Sequence, residues 1–334
     1  MRGGESAVTT PPHSCDAVAH VTHTERTTPL AAAPPPPSVS VVLATRNRGQ
    51  HVLPCVETIL ANPGFIELIV ADQSDGDETR DALASVSDAR LRYVKSAARG
   101  VTNGRNLGIE LSTGDVVAFT DDDCRVAPDW IAKLTQVFVD DPEASVVCGR
   151  VCVPEDLLPL GFTESFEPRT REWRGSYPPF GSDWGITANL ALRREVVARV
   201  GKFDPMLGAG APLRSGGEPD FLFRVLRAGF KVVNAREVVV DHLGVRAPGE
   251  ASQRLMRGYG VGTGAAFFKH VRLGDRDALQ LYLRFVSANV QRVAAGLARG
   301  KRPDGLGYLL AFLSGAVRSY RFKVDPELRQ YVPR

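Results

Sequence analysis

Three short runs, 39–44 (VSVVLA), 66–71 (IELIVA) and 116–120 (VVAFT), are almost wholly apolar and rich in β-branched residues. A strand with one wet face alternates in polarity; a strand covered on both faces reads as an unbroken apolar run. Between these runs lie stretches of helical length at about 50–61, 77–86 and 102–111, with a further short strand at 91–94. Strands alternating with helices predict an α/β fold, a mostly parallel sheet flanked by helices. Ligands of such sheets collect at the carboxyl ends of the strands.

Polar residues stand at those ends. Thr45, Arg46 and Asn47 follow the first run, Asp72, Gln73 and Ser74 the second, and Asp121, Asp122 and Asp123 the third. Three adjacent carboxylates repel one another unless a cation or strong donors hold them. Magnesium and manganese take oxygen ligands and are typically held by one or two carboxylates plus substrate phosphates. The plainer alternative is an acidic turn capping a helix that starts near Pro128. Asp72 is placed to accept from the N–H of a base, with Ser74 capping the next helix; a simple capping turn is the alternative there.

Composition limits the rest. Hydrophobic residues at 43% and charged residues at 24% of 334 positions suit a globular chain with a sizeable core. A formal charge of +3 argues against a dedicated nucleic-acid binder. Five cysteines, without a CxxC pair, suit a reducing cytoplasmic setting, and Cys148 and Cys152 read as buried free thiols. Residues 1–38, rich in Thr, Ala and Pro, read as a disordered tail with no signal-peptide core. No run of about 18 or more apolar residues predicts a spanning helix.

The segments VVLATRNR (41–48), IELIVADQSDGDET (66–79), RGVTNGRNLGIELSTGDVVAFTDDDCRVAPDWI (99–131), GITANLALRREVVARVGKFD (185–204) and SGGEPDFLFRVLRAGFKVVNAREVVVDH (215–242) resemble, in order, those of glycosyltransferase family 2. The resemblance covers about 39–245. It implies the A-type nucleotide-sugar glycosyltransferase fold and transfer of a sugar from a UDP-, GDP- or dTDP-sugar to an acceptor hydroxyl, with Mn2+ or Mg2+. By it, Ala44, Thr45 and Arg46 line the nucleobase pocket and Asp72 accepts from the base. Arg105 and Asn106 lie under the donor. Asp121 and Asp123 form the D-x-D motif, with Asp123 the direct metal ligand and Asp121 or Asp122 toward the ribose. His242 lies near the metal and diphosphate.

The family places Glu-Asp at the start of the acceptor-side helix, whereas this chain has Gly217-Glu218-Pro219-Asp220. Register from Phe221 and Arg224 puts Glu218 at the base position and Asp220 next, and Pro in a first helical turn is compatible with a helix start. Acids there also suit the helix dipole, so capping is the competing role. Trp184 is a candidate sugar platform, with Trp173 behind it. Residues 246–334 form a basic, largely helical C-terminal region able to lie on an anionic membrane at the inner face, to pack on the catalytic domain, or to meet a second subunit. The acceptor (glycan, lipid-linked or small molecule) leaves no signature. Two other functions remain: a nucleotidyltransferase making a sugar nucleotide, for which Thr45-Arg46-Asn47-Arg48-Gly49 is a poor triphosphate loop, and a non-catalytic nucleotide-sugar binder.

Overall fold

The computed structural model describes residues 35–179, 184–300 and 305–333; the expected tail lies, up to position 34, outside the described residues. Strand β1 (Val39–Thr45) leads to helix α1 (Gly49–Leu60), strand β2 (Glu67–Asp72), helix α2 (Glu78–Leu83), strand β3 (Leu91–Lys95), helix α3 (Val101–Leu111) and strand β4 (Val116–Asp121). Val39, Val41, Val42, Val116, Val117 and Phe119 are at most 1% exposed, the double-sided cover that their unbroken runs predict. The four strands pair in parallel, in the order β3-β2-β1-β4. Thr45 stands opposite Asp72 and Ala44 opposite Asp121, so three strand exits share one rim.

The chain continues through strand β5 (Cys124–Val126), helix α4 (Trp130–Asp140), and strands β6 (Ala144–Cys152), β7 (Glu172–Trp173) and β8 (Leu190–Arg193). Helices α5 (Arg194–Val200) and α6 (Gly217–Arg227) precede the long strand β9 (Lys231–His242). In this half the sheet becomes mixed. β8 runs antiparallel to β4 and β6, and β5 and β7 antiparallel to β9, while β6 and β9 are parallel. A parallel neighbour needs a crossover, usually a helix, and among the described residues no α-helix lies between β6 and β8, which is entered from a 3-10 turn at Thr187–Asn189. The result is a mixed sheet, β3-β2-β1-β4-β8-β6-β9-β5, with β7 beside β9.

Helix α3 lies unusually close to β1. A Cβ at Gly104 would stand 2.9 Å from the Ala44 Cβ, and one at Gly108 only 2.1 Å from Val42 Cγ1. Glycine permits this approach, and it carries Arg105 to the strand exits.

Helices α7 (Glu250–Arg272), α8 (Arg276–Ala298) and α9 (Leu306–Ser319) follow, then a hairpin of β10 (Lys323–Val324) and β11 (Tyr331–Val332). Residues from Pro36 onward are one compact unit, and the core continues across 245/246. Met206, Leu207 and Phe223 pack with Ala265, Phe267 and Phe312 in a second cluster. Each fully buried Phe there contributes roughly 1.5–3 kcal/mol. None of the described helices is long and apolar enough to cross a membrane. Cys55, Cys124, Cys148 and Cys152 are free thiols, the first three buried.

A buried charge network ties α7 to α6. Asp220 meets Lys269 at 2.7 Å, His270 Nε2 at 2.9 Å and Arg224 Nε at 3.1 Å, all essentially sealed from water. Lys269 also pairs with Asp204, which accepts the Tyr331 backbone N–H. Arg329 Nε donates to His270 Nδ1, so the ring is the neutral Nε2–H tautomer donating to Asp220. Burial holds the His270 pKa down at about 4, outweighing the pull of Asp220.

Candidate active site

One cleft of about 1800 Å³ opens over the rim. Ala44, Thr45 and Arg46 line it from the β1 exit, Arg105 from α3, Glu218 from the first turn of α6, Asp121–Asp123 from the β4 exit, His242 from the end of β9, and Trp184 from the segment before β8. Arg105 bridges two of the acids: Nη2 donates to Asp121 at 2.7 Å and Nη1 to Glu218 Oε1 at 3.1 Å. Burial opposes its charge, but Asp121 and Glu218 more than compensate and hold its pKa above the ordinary arginine value. Thr187 Oγ1 donates to the same Glu218 oxygen at 2.6 Å, leaving Oε2 without a hydrogen bond among the described residues. The carboxylate is thus oriented by two donors and open on one side.

The three aspartates separate by role. Asp122 turns inward, accepting from Thr45 Oγ1 at 2.6 Å, and burial raises its pKa to about 6 against the pull of Arg48. Asp123 turns to the cleft, where Arg48 Nη1 (2.8 Å) and His242 Nε2 (3.1 Å) flank it. Burial would favour its proton, yet the His242 hydrogen bond and the Arg48 and His242 charges hold its pKa well below the carboxylate range. His242 is raised to about 9: burial works against its charge, and Asp123 with the Glu164 carbonyl (2.8 Å from Nδ1) overcomes it.

The donor atoms of Asp123, Cys124 and His242 lie within 4.8 Å of one another. The Cys124 thiol, buried and pushed well above its ordinary pKa, is the poorest ligand of the three. A Cβ at Gly244 would stand 2.3 Å from Asp123 Oδ2 and 3.2 Å from His242 Nε2, so the glycine leaves room beside both. One carboxylate and one imidazole, with the room Gly244 leaves beside them, fit a divalent ion that completes its shell from a ligand.

Other expected residues fall elsewhere. Asp72 is at the shared rim but fully enclosed, accepting from Ser74 N (2.8 Å), Tyr93 Oη (2.8 Å) and Lys95 Nζ (3.2 Å). Its carboxylate is occupied by protein donors rather than presented to a base. Ser74 caps no helix; its Oγ accepts the Asn47 N–H and pairs with Thr79. Asn106 faces away from the cleft, exchanging hydrogen bonds with the Phe203 backbone at 2.8 and 3.0 Å. The expectation for Asp220 as a second catalytic acid is corrected: it lies in the sealed network under α6, not in the cleft. Trp184 is partly buried, edge-on to Phe267 at 5.5 Å, and the indole N–H groups of Trp173 and Trp184 have no partner among the described residues.

Residues 40–201 match the family described as "Glycosyl transferase family 2". Residues 40–201 form a glycosyl transferase family 2 domain. The chain is similar to the glucosyl-dolichyl phosphate glucuronosyltransferase of Haloferax volcanii, 29% identical over 228 residues, 61% of this chain and 68% of that protein. It is also similar to the succinoglycan biosynthesis protein ExoO of Rhizobium meliloti, 26% identical over 295 residues, 80% of this chain and 82% of that one. Among solved structures, the mannosyltransferase PcManGT from Pyrobaculum calidifontis, in complex with GDP-Man and Mn2+, has a similar fold: TM-score 0.57, 18% identity, 85% of this chain and 87% of that one. The protein is therefore a glycosyltransferase, and its sheet is of the A type.

Within this family 2 site, sequence reasoning passed over Arg48, Thr187 and Glu164. Arg48 and Thr187 sit inside the quoted segments, at a strand exit and a turn, and could have been read as rim donors. Glu164 sits in the irregular stretch between β6 and β7, where no periodicity marks a residue that turns back to Tyr259; burial raises its pKa despite that hydrogen bond.

Proposed function

We propose that the protein transfers a sugar from a uridine, guanosine or thymidine diphosphate sugar to an acceptor hydroxyl with inversion, using Glu218 as base and Mn2+ or Mg2+ at Asp123 and His242. The observation that carries this reading is the open Glu218 carboxylate, held by Arg105 and Thr187 in the same cleft as the Asp123–His242 pair. A divalent ion bound there supplies positive charge to a leaving diphosphate. Arg105, tied to Asp121, adds a fixed positive charge beside the acids. Glu218 takes the proton of the acceptor hydroxyl as its oxygen bonds to the anomeric carbon, whose bond to the diphosphate oxygen breaks. Trp173 and Trp184 line the same cleft and bring aromatic surface to a sugar bound there. The cysteine pattern supports a cytoplasmic setting, and exposed Leu310 and Val317 on α9 support peripheral contact with the inner membrane face.

The test is Glu218→Gln, which keeps shape and removes the base. Transfer should fall by about 10²–10⁴-fold while manganese-dependent nucleoside diphosphate binding, read by thermal shift, persists. Transfer at the parent rate would rule Glu218 out as base.

A further inference from the structure

Two arginines serve the acids of the rim, and they are held in different ways. Arg105 is buried and divided between Asp121 at 2.7 Å and Glu218 at 3.1 Å, one terminal nitrogen to each. Arg48 reaches its acids through a single nitrogen: Nη1 stands 2.8 Å from Asp123 Oδ2 and 3.6 Å from Asp122 Oδ1. Its Nε and Nη2 have no hydrogen bond among the described residues. Arg48 lines the cleft, and 34% of its side chain is accessible. Its root, by contrast, is fixed. The Arg48 carbonyl accepts from the N–H groups of His51 (2.7 Å) and Val52 (3.3 Å) in the first turn of α1. Asn47, at φ 54°, donates its N–H to Ser74 Oγ and exchanges side-chain hydrogen bonds with Asp75. A change of partner by the guanidinium therefore needs only new rotamers of a long, unbranched stem.

The oxygen that Arg48 holds is also the one with room beside it. A Cβ at Gly244 would stand 2.3 Å from Asp123 Oδ2, whereas Oδ1 is taken by His242 Nε2 at 3.1 Å. A guanidinium and a divalent ion at one carboxylate oxygen repel each other, so the two contend for Asp123. Arg48 leaves a charge-assisted hydrogen bond readily only where another anion receives it. A diphosphate in the cleft is such an anion. The Nε and Nη2 edge of the planar fork matches two phosphate oxygens, and it is the edge that carries no partner.

We propose that Arg48 couples the metal to the donor: it yields Asp123 Oδ2 to the divalent ion and turns to the diphosphate, so that each ligand binds better when the other is present. The inference rests on the reading of Asp123 and His242 as metal ligands, and the coupling is reciprocal. Mn2+ binding to the full-length chain is read from the loss of the free-ion electron paramagnetic resonance signal, against protein-free controls. The parent, Arg48→Gln, Arg48→Lys and Asp123→Ala are titrated alone and with UDP, GDP or dTDP, and circular dichroism checks the fold. Arg48→Gln removes the contending cation, so Mn2+ alone should bind roughly tenfold tighter. The gain in Mn2+ affinity that a nucleotide confers on the parent should shrink by a similar factor. Arg48→Lys, which keeps the charge without the fork, should fall between. Mn2+ binding that is lost in Asp123→Ala but unchanged or weakened in Arg48→Gln overturns the proposal and leaves the metal reading in place. Binding that survives Asp123→Ala removes the metal reading, and the proposal with it. Tighter Mn2+ binding in Arg48→Gln with undiminished coupling to the nucleotides also overturns it, because Arg48 is then a local counter-ion alone. Failure of all three nucleotides to bind any of the chains counts against the donor reading and takes the coupling with it.

Discussion

Asp220→Asn is the sharpest test of how α6 is held. The carboxylate accepts from Arg224, Lys269 and His270 in a sealed site. The amide keeps the shape but loses the charge and turns an N–H₂ toward those donors. Asp204 still neutralises Lys269, so Arg224 is left as a buried cation without its carboxylate, bonded only to the Val200 and Lys202 carbonyls. Removing one partner of a buried pair costs about 3–5 kcal/mol. For a unit spanning Pro36–Arg334, an unfolding entropy of about 2 cal/mol/K per residue turns that into a fall of about 5–8 °C in Tm. Urea titration and calorimetry read the loss directly. Because Asp220 touches no substrate in this account, the pH–rate profile of the variant should keep the parent's shape. A variant stable to within about 0.5 kcal/mol whose turnover nevertheless collapses would show that Asp220 acts in the reaction, and the argument from burial would be wrong.

Asp123→Ala removes one side of the proposed metal site, so manganese-dependent donor hydrolysis should fall to background, and unchanged turnover would withdraw the assignment. Gly108→Ala places a methyl 2.1 Å from Val42 Cγ1; pushing α3 off β1 should cost about 1–3 kcal/mol and lower turnover by displacing Arg105, as urea midpoints and initial rates would report. His270, held near 4 when folded against 6.5 unfolded, makes the unfolded chain the better proton binder in that window. Its contribution is complete above pH 6.5 and is lost as pH falls toward 4, by up to about 3 kcal/mol; denaturation midpoints across that range should slope less in His270→Gln.

The parallel half of the sheet was legible because strands buried on both faces must be apolar throughout, as Val39, Val41 and Val42 are. The antiparallel half was not: β8 is four residues long and follows a three-residue 3-10 turn, too short a stretch to show a periodicity. The order of the rim residues followed from the strand exits, and the cleft does gather Thr45, Asp121–Asp123, Glu218 and His242. Misplaced residues share a geometric cause. Successive helical residues diverge by about 100°, so Asp220 points roughly opposite Glu218, and Asn106 cannot follow Arg105 to the rim. Motif spacing carries no such angular information unless the helix axis is drawn first. Asp72 escaped for another reason: its partners Tyr93 and Lys95 come from β3, twenty residues on, and only pairing reveals them.

The brace under α6 has a consequence for synthesis. Its partners emerge late: Lys269 and His270 leave the ribosome some forty residues after Arg227, and Arg329 and Tyr331 about sixty residues after those. Until they arrive, Asp220 has only Arg224 beside it. A nascent chain can therefore have its parallel strands in place while the helix bearing Glu218 is still unanchored, and Arg329 and Tyr331 complete the brace last.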